Sequence, residues 1–132
     1  NVLDKDLDDV RKYDIYKTCI EGLIGSKKYK DAVLLTDSCI AKYKEKTEPY
    51  FMKSVALFKN NFKEDAISLL EKTLKEEGLS VEEFGKYRFQ LGLMYASKGE
   101  TKKATEQFDK VMTGSSNFAK PAMFEKSKIT GE

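Results

Sequence analysis

Three alanines, Ala32, Ala66 and Ala104, open amphipathic stretches of the same kind, and they stand 34 and 38 residues apart. Self-similarity at such a period marks a chain built from supersecondary units, none of which can bury its apolar face alone. The four extra residues of the second interval fit the Gly78–Ser80 loop region, where insertion is cheap. Apolar residues recur at three- and four-residue steps, only Pro49 and Pro121 interrupt the chain, and no strand-like alternation runs far. The chain is therefore expected to be all-α.

The punctuation predicts about seven helices. The first spans about Leu7 to Gly25, with Tyr16, Cys19, Ile20, Leu23 and Ile24 on one face. Ser26 and Lys27 form a turn before a second helix, Lys28 to Lys44, which carries Tyr29, Ala32, Val33, Cys39 and Ile40. Thr47 is the expected N-cap of a third, which holds Pro49 in its first turn, runs to Phe58 and is broken by Asn60 and Asn61. A fourth is expected over Lys63 to Glu77, with Gly78 as its C-terminal cap. Ser80 and Glu83 form a capping box for a fifth, which reaches Lys98 and stops at Gly99. A sixth covers Thr101 to Thr113, and Gly114, Ser115, Ser116 and Asn117 make the next loop. A shorter seventh starts near Pro121 and carries Ala122, Met123, Phe124 and Ile129. With connections this short, neighbouring helices should run antiparallel.

Composition narrows the function. The 132 residues suit one domain or a short repeat array. With no His and two Cys, a His/Cys zinc site cannot be assembled, and the commonest general base is missing. No phosphate-binding glycine loop occurs and no carboxylate pair stands out by its spacing, so no enzyme and no cofactor is expected. The net charge is +2, carried by 22 Lys with only Arg11 and Arg88, a poor pattern for nucleic acid. No apolar run is long enough to span a membrane. The acidic run Asp4, Asp6, Asp8, Asp9 suits a helix N-terminus; it lacks the glycine and distal glutamate of a calcium-binding EF-hand loop. The clusters Lys27, Lys28, Lys30 and Lys42, Lys44, Lys46 are expected as solvated faces, with an acidic partner as the second reading. Cys19 and Cys39 lie on apolar helical faces and are expected as two buried free thiols, which favours the cytoplasm; a disulfide would imply an oxidising compartment. The chain begins at Asn1 without Met, as a processed protein or an excised piece does. Its first nine residues lack the layout of a signal peptide, so any such peptide would already have been removed.

Leu91-Gly92, Tyr95, Gly99, Ala104 and Phe108 together resemble the signature of the tetratricopeptide repeat (TPR). Gly92 and Ala104 are small where two helices cross, and Leu91, Tyr95 and Phe108 fill the space around them. Tyr50, Ser54, Leu57, Asn61, Ala66 and Leu70 align to the same places in an earlier unit, and Tyr16, Cys19, Leu23, Tyr29 and Ala32 in the first. The first unit departs from the pattern at Ile20, where a small residue is expected, so its helices should sit further apart. The resemblance covers about Tyr13 to Phe118. It implies repeats at about 13–46, 47–80 and 85–118, a C-terminal capping helix over 119–132, and a single domain folded as a right-handed α-solenoid of antiparallel helix pairs.

The same resemblance implies a protein–protein interaction module, an adaptor or assembly scaffold, whose concave groove is lined by the first helix of each pair. Carried onto this sequence, the groove comprises Lys17 in the first unit, Phe51, Val55, Phe58 and Lys59 in the second, and Lys86, Phe89 and Leu93 in the third. The apolar members would take a peptide or amphipathic helix, and the lysines its acidic flanks. The family's carboxylate clamp is not reproduced. Lys17 and Lys86 occupy two of its five places, but Glu21, Met52 and Gln90 stand where Asn, Asn and Arg are expected, and Glu21 would repel a carboxylate. Two other outcomes compete with an open groove: rotation of these apolar side chains into the core, and coverage by a folded-back Met123–Phe124 segment. A structural, self-oligomerising repeat domain is the alternative function.

Overall fold

The computed structural model describes residues 2–114 and 116–131, with side chains from Leu7 onward. Ser115 and the side chains of Asp4 and Asp6 lie outside the described residues. Seven helices and no strand occur among those described: α1 (Val2–Gly25), α2 (Tyr29–Lys42), α3 (Glu48–Lys59), α4 (Lys63–Thr73), α5 (Val81–Ser97), α6 (Thr101–Met112) and α7 (Ala119–Thr130).

The hairpins α1–α2, α3–α4 and α5–α6 all turn in the same way. Each has one residue in the left-handed region: Lys27 at φ 62°, Asn61 at φ 72° and Gly99 at φ 80°. The next N–H reaches back six residues inclusive to a helical carbonyl: Lys28 to Leu23 at 2.8 Å, Phe62 to Leu57 at 2.9 Å and Glu100 to Tyr95 at 3.0 Å. This closes the preceding helix as a Schellman motif does. The carbonyls of Lys28, Phe62 and Glu100 then accept the N–H of Ala32, Ala66 and Ala104, each at 3.0 Å. All three alanines are fully buried. The period seen in the sequence is thus a period of backbone geometry.

Two compact units can be distinguished, residues 1–69 and 70–132, and α4 runs across the boundary. In the first unit α2 packs against α1 and α3. Its core holds Ile20, Ala32, Thr36, Cys39, Met52 and Ala56. The Tyr43 ring meets Tyr13 edge-on at 5.1 Å and Tyr16 at 6.0 Å, and its hydroxyl donates to the Asp9 carbonyl at 3.5 Å. Lys53 of α3 pairs with Asp37 of α2 at 2.8 Å. Ser54, which replaces the small glycine of the signature, is buried and satisfies its hydroxyl on the Phe51 carbonyl at 2.6 Å.

In the second unit α6 packs against both α5 and α7. Gly92 is the contact point: a Cβ there would lie 2.5 Å from the Phe108 ring. Gly85 plays a similar part, since a Cβ there would meet Ser116 of the α6–α7 loop. The predicted capping box is present, with Glu83 N donating to Ser80 Oγ and Ser80 N to Glu83 Oε1, both at 3.0 Å. The Tyr95 hydroxyl donates to the Glu71 carboxylate at the end of α4. α7 is tied to α6 by Lys126 and Asp109 at 2.7 Å.

Several expectations need correction. α1 starts at Val2, well before Leu7. Thr47 precedes α3 but makes no side-chain cap bond. α4 ends at Thr73, not Glu77. The N–H groups of Lys75 and Glu76 bond three residues back, which tightens the chain out of the helix, and the polar run from Lys75 to Gly78 has no buried residue to hold a further turn. Gly78, at φ 81°, therefore belongs to the loop and does not cap α4. Both cysteines are free, but only Cys39 is buried; Cys19 is exposed. No helix among the described residues is long and apolar enough to cross a membrane.

Candidate functional site

The residues predicted to line a groove fall into two groups, one in each unit. On α3, Phe51 is only 8 % exposed and belongs to the core with Pro49 and Met52, so it offers no binding surface. Val55 and Phe58, one and two turns further on, are half-exposed, and Lys59 is exposed. The Phe58 ring carries the Lys63 ammonium at 5.7 Å. On α1, Lys17 is half-buried and holds its ammonium 5.5 Å above the Tyr13 ring.

On α5, Lys86, Phe89 and Leu93 share one helical face and are all half-buried. Phe89 is partly covered within its unit, by Phe108 at 5.9 Å and by Phe118 at 5.6 Å. Coverage by Met123 and Phe124 does not occur. These two are 53 % and 62 % exposed, and Lys128 rests on the Phe124 ring at 4.5 Å. Phe118, just ahead of α7, is the residue that reaches Phe89. Of the clamp places, Met52 is 4 % exposed and has no polar atom to offer. Among the described residues no group of three or more His, Cys, Asp or Glu side chains could hold a metal ion.

Two of the open cavities among the described residues lie in the first unit. One, of about 510 Å³, is lined by the Tyr13 and Tyr43 rings and by Asp9, Val10, Asp14, Glu45 and Lys46. The Lys46 ammonium already sits over Tyr13 at 5.3 Å. The other, of about 330 Å³, lies between Ile15, Cys19 and Leu35, with Lys12 and Lys42 at its rim. Burial raises the pKa of the Cys39 thiol, a shift that the nearby Lys17 charge partly opposes. The inert thiol is thus the buried one.

Sequence reading passed over a cavity of about 410 Å³ in the second unit. It lies between the start of α5 and the end of α6, against Leu79, Val81, Phe84, Val111 and Lys110. Phe84 lends its ring to the Arg88 guanidinium, 4.3 Å away, and Arg88 Nη1 donates to Gln107 Oε1 at 2.9 Å. The available signal was a Phe and one of only two arginines, four residues apart on a helix, which places them on one face.

No protein-family model matches the sequence, and none of the curated proteins does. Solved structures do match. The TPR2AB domain of yeast Sti1, solved as a complex with pHSP90, aligns with a TM-score of 0.82 over 92% of this chain at 15% identity. The fold is that of a tetratricopeptide repeat domain. Two structures of the nearly identical TPR-like repeats of a putative Podosopora anserina kinesin light chain, one of them a point variant, align with TM-scores of 0.72 and 0.73 over 89% of this chain at 14% identity. The chain spans 47% of the Sti1 structure and 65% of the other two. At these identities the likeness concerns the fold. The TPR assignment accounts for the repeated hairpin turns, for the buried alanines, and for Gly92 against Phe108.

Proposed function

We propose that this TPR domain is a non-enzymatic interaction module, an adaptor or scaffold, that binds a peptide or amphipathic helix through the apolar residues of α3 and α5. The observation that carries this reading is the half-exposure of Val55 and Phe58 on α3 and of Leu93 on α5, at places where the TPR pattern puts ligand-facing residues. Full burial of an exposed side chain of this size is worth roughly 1.5–3 kcal/mol, and a partner's apolar face would recover about half of that from each of these half-exposed ones. The complex of the Sti1 domain with pHSP90 supports a protein or peptide as the ligand class. The ligand is not held by a carboxylate clamp: Met52 is buried and Glu21 is acidic. Lys17, Lys59 and Lys86 serve acidic flanks of the ligand.

Phe51 is a poor probe of this reading because it is part of the core. The double variant Phe58→Ser, Leu93→Ser tests it better. Peptides selected from a random display library on the wild-type protein should bind this variant at least about tenfold more weakly, while its circular dichroism spectrum stays that of the folded protein. Undiminished binding would show that the peptides dock elsewhere. Self-association is the second reading, favoured by Met123 and Phe124, which are large, apolar and exposed on α7. A concentration-dependent dimer in light scattering, lost on Phe124→Ser, would support it.

A further inference from the structure

The cavity of about 510 Å³ between α1 and the α2–α3 loop sets two aromatic rings beside three acidic side chains. Tyr13 and Tyr43 both line it, and their planes meet at 65°, so the rings form a corner of its wall. Tyr43 is fixed in that corner: it is buried, Tyr16 packs on its ring, and its hydroxyl donates to the Asp9 carbonyl. The face of an aromatic ring is negative at its centre and attracts a cation. Three ammonium groups of the chain itself are drawn to these two rings, Lys46 and Lys17 to Tyr13 at 5.3 and 5.5 Å, and Lys42 to Tyr43 at 5.7 Å. Of the three, Lys46 is the one that lines the cavity.

Asp9 and Asp14 of α1 and Glu45 of the loop line the same cavity, and all three are exposed. Among the described residues no lysine or arginine forms an ion pair with any of them, and Lys46 pairs with no carboxylate. The wall thus carries three negative charges against one positive. Lys46 stands on a loop and is held at the ring by the cation–π attraction alone, so another cation can take its place at little cost. Val10, 57 % exposed, adds an apolar strip of the kind that the methylenes of a long basic side chain cover. None of the α3 and α5 residues of the proposed ligand surface belongs to this cavity, so the two sites can be tested separately.

We propose that this cavity is a second binding site, which takes a lysine side chain of a partner polypeptide in place of Lys46. The incoming ammonium sits over the Tyr13 ring, its stem lies along Val10, and Asp9, Asp14 and Glu45 supply the countercharge. The carboxylates favour a cation that can donate hydrogen bonds over a quaternary ammonium, which has none to donate. Lys46 is then an internal competitor, which keeps the ring covered while no partner is bound. The interaction-module reading enters only in making the partner a polypeptide.

The test is an NMR titration of the full chain at low salt, with the Tyr13 and Tyr43 ring protons and the Asp14 and Glu45 amides as reporters. The probe is the capped peptide acetyl-Gly-Gly-Lys-Gly-Gly-amide. We expect saturable shifts at these four residues, and binding weaker by about tenfold or more when the lysine is Nε-acetylated and so uncharged. Lys46→Gln removes the competitor and should tighten binding by about threefold. Asp14→Asn, Glu45→Gln changes two exposed side chains, leaves the circular dichroism spectrum of the folded protein, and should weaken binding severalfold. Phe58→Ser, Leu93→Ser should bind the probe like wild type. Unmoved reporters at several millimolar peptide would overturn the proposal, as would equal binding of the acetylated peptide. Binding that Lys46→Gln leaves unchanged or weakens would place the lysine elsewhere and would also overturn it. So would tighter binding of tetramethylammonium than of the peptide, which would mark a small-molecule site.

Discussion

A methyl group at position 92 would meet the Phe108 ring at 2.5 Å, inside any tolerated carbon–carbon distance. Phe108 is fully buried and cannot swing aside into solvent. Gly92→Ala should therefore destabilise the protein by about 1–3 kcal/mol, despite the better helix propensity of alanine. Urea unfolding checks this, and an unchanged midpoint would mean that the ring relaxes freely. Gly92, Ala104 and Phe108 were legible in the sequence because together they resemble the tetratricopeptide signature, whose small and large residues meet where two helices cross. Phe51 was not legible in the same way. Phe51, Val55 and Phe58 form one stripe by periodicity, yet the stripe passes from buried at Phe51 to half-exposed at Phe58. Spacing gives the face of a helix; it does not say where the neighbours' coverage of that face ends. Cys19 failed for the same reason: it shares a face with Leu23 and the fully buried Ile20, but lies at its exposed edge.

At the level of elements, turns and caps were the most legible features. Asn61 and Gly99 were expected to break helices and do so with positive φ, and the Ser80–Glu83 box forms as read. Lys27 takes the same conformation without the usual residue type, which is why only its repeat position reveals it. The end of α4 was misplaced because Gly78 is a good helix stop and the helix stops before it. What anchors the end of α4 to α5 is the Tyr95–Glu71 bond, invisible to any short-range pattern. Burial first, then the hydrogen bond and charge of Glu71, raise the Tyr95 pKa above its ordinary value of 10.0. The folded state thus holds this proton more tightly than the unfolded chain does. The associated stability is present in full below about pH 10 and is lost progressively as the pH rises from there towards the raised folded value. Tyr95→Phe, which has no proton to lose, should show a smaller fall in urea midpoint between about pH 9 and pH 11 than wild type. An identical fall would show that other groups dominate the alkaline limb.

For the whole molecule, the fold was recovered from about a dozen positions, although identity to solved TPR structures is only 14% to 15%. The three repeated turns explain how so little identity suffices: each has one left-handed residue and one buried alanine, while the small crossing residue, Ser54 and Gly92 in the later units, gives way to Ile20 in the first. The ligand surface is less constrained. Its side chains answer to a partner, so their class and approximate face can be read from the pattern while their exposure cannot. A partner's peptide should leave its imprint on those faces. The most direct measurement is an amide chemical-shift map of the ¹⁵N-labelled chain with a display-selected peptide. The interaction-module reading predicts that shifts will concentrate on α3 around Val55, Phe58 and Lys59 and on α5 around Lys86, Phe89 and Leu93. Shifts confined to α2, α4 and α6, with none on α3 or α5, would contradict it.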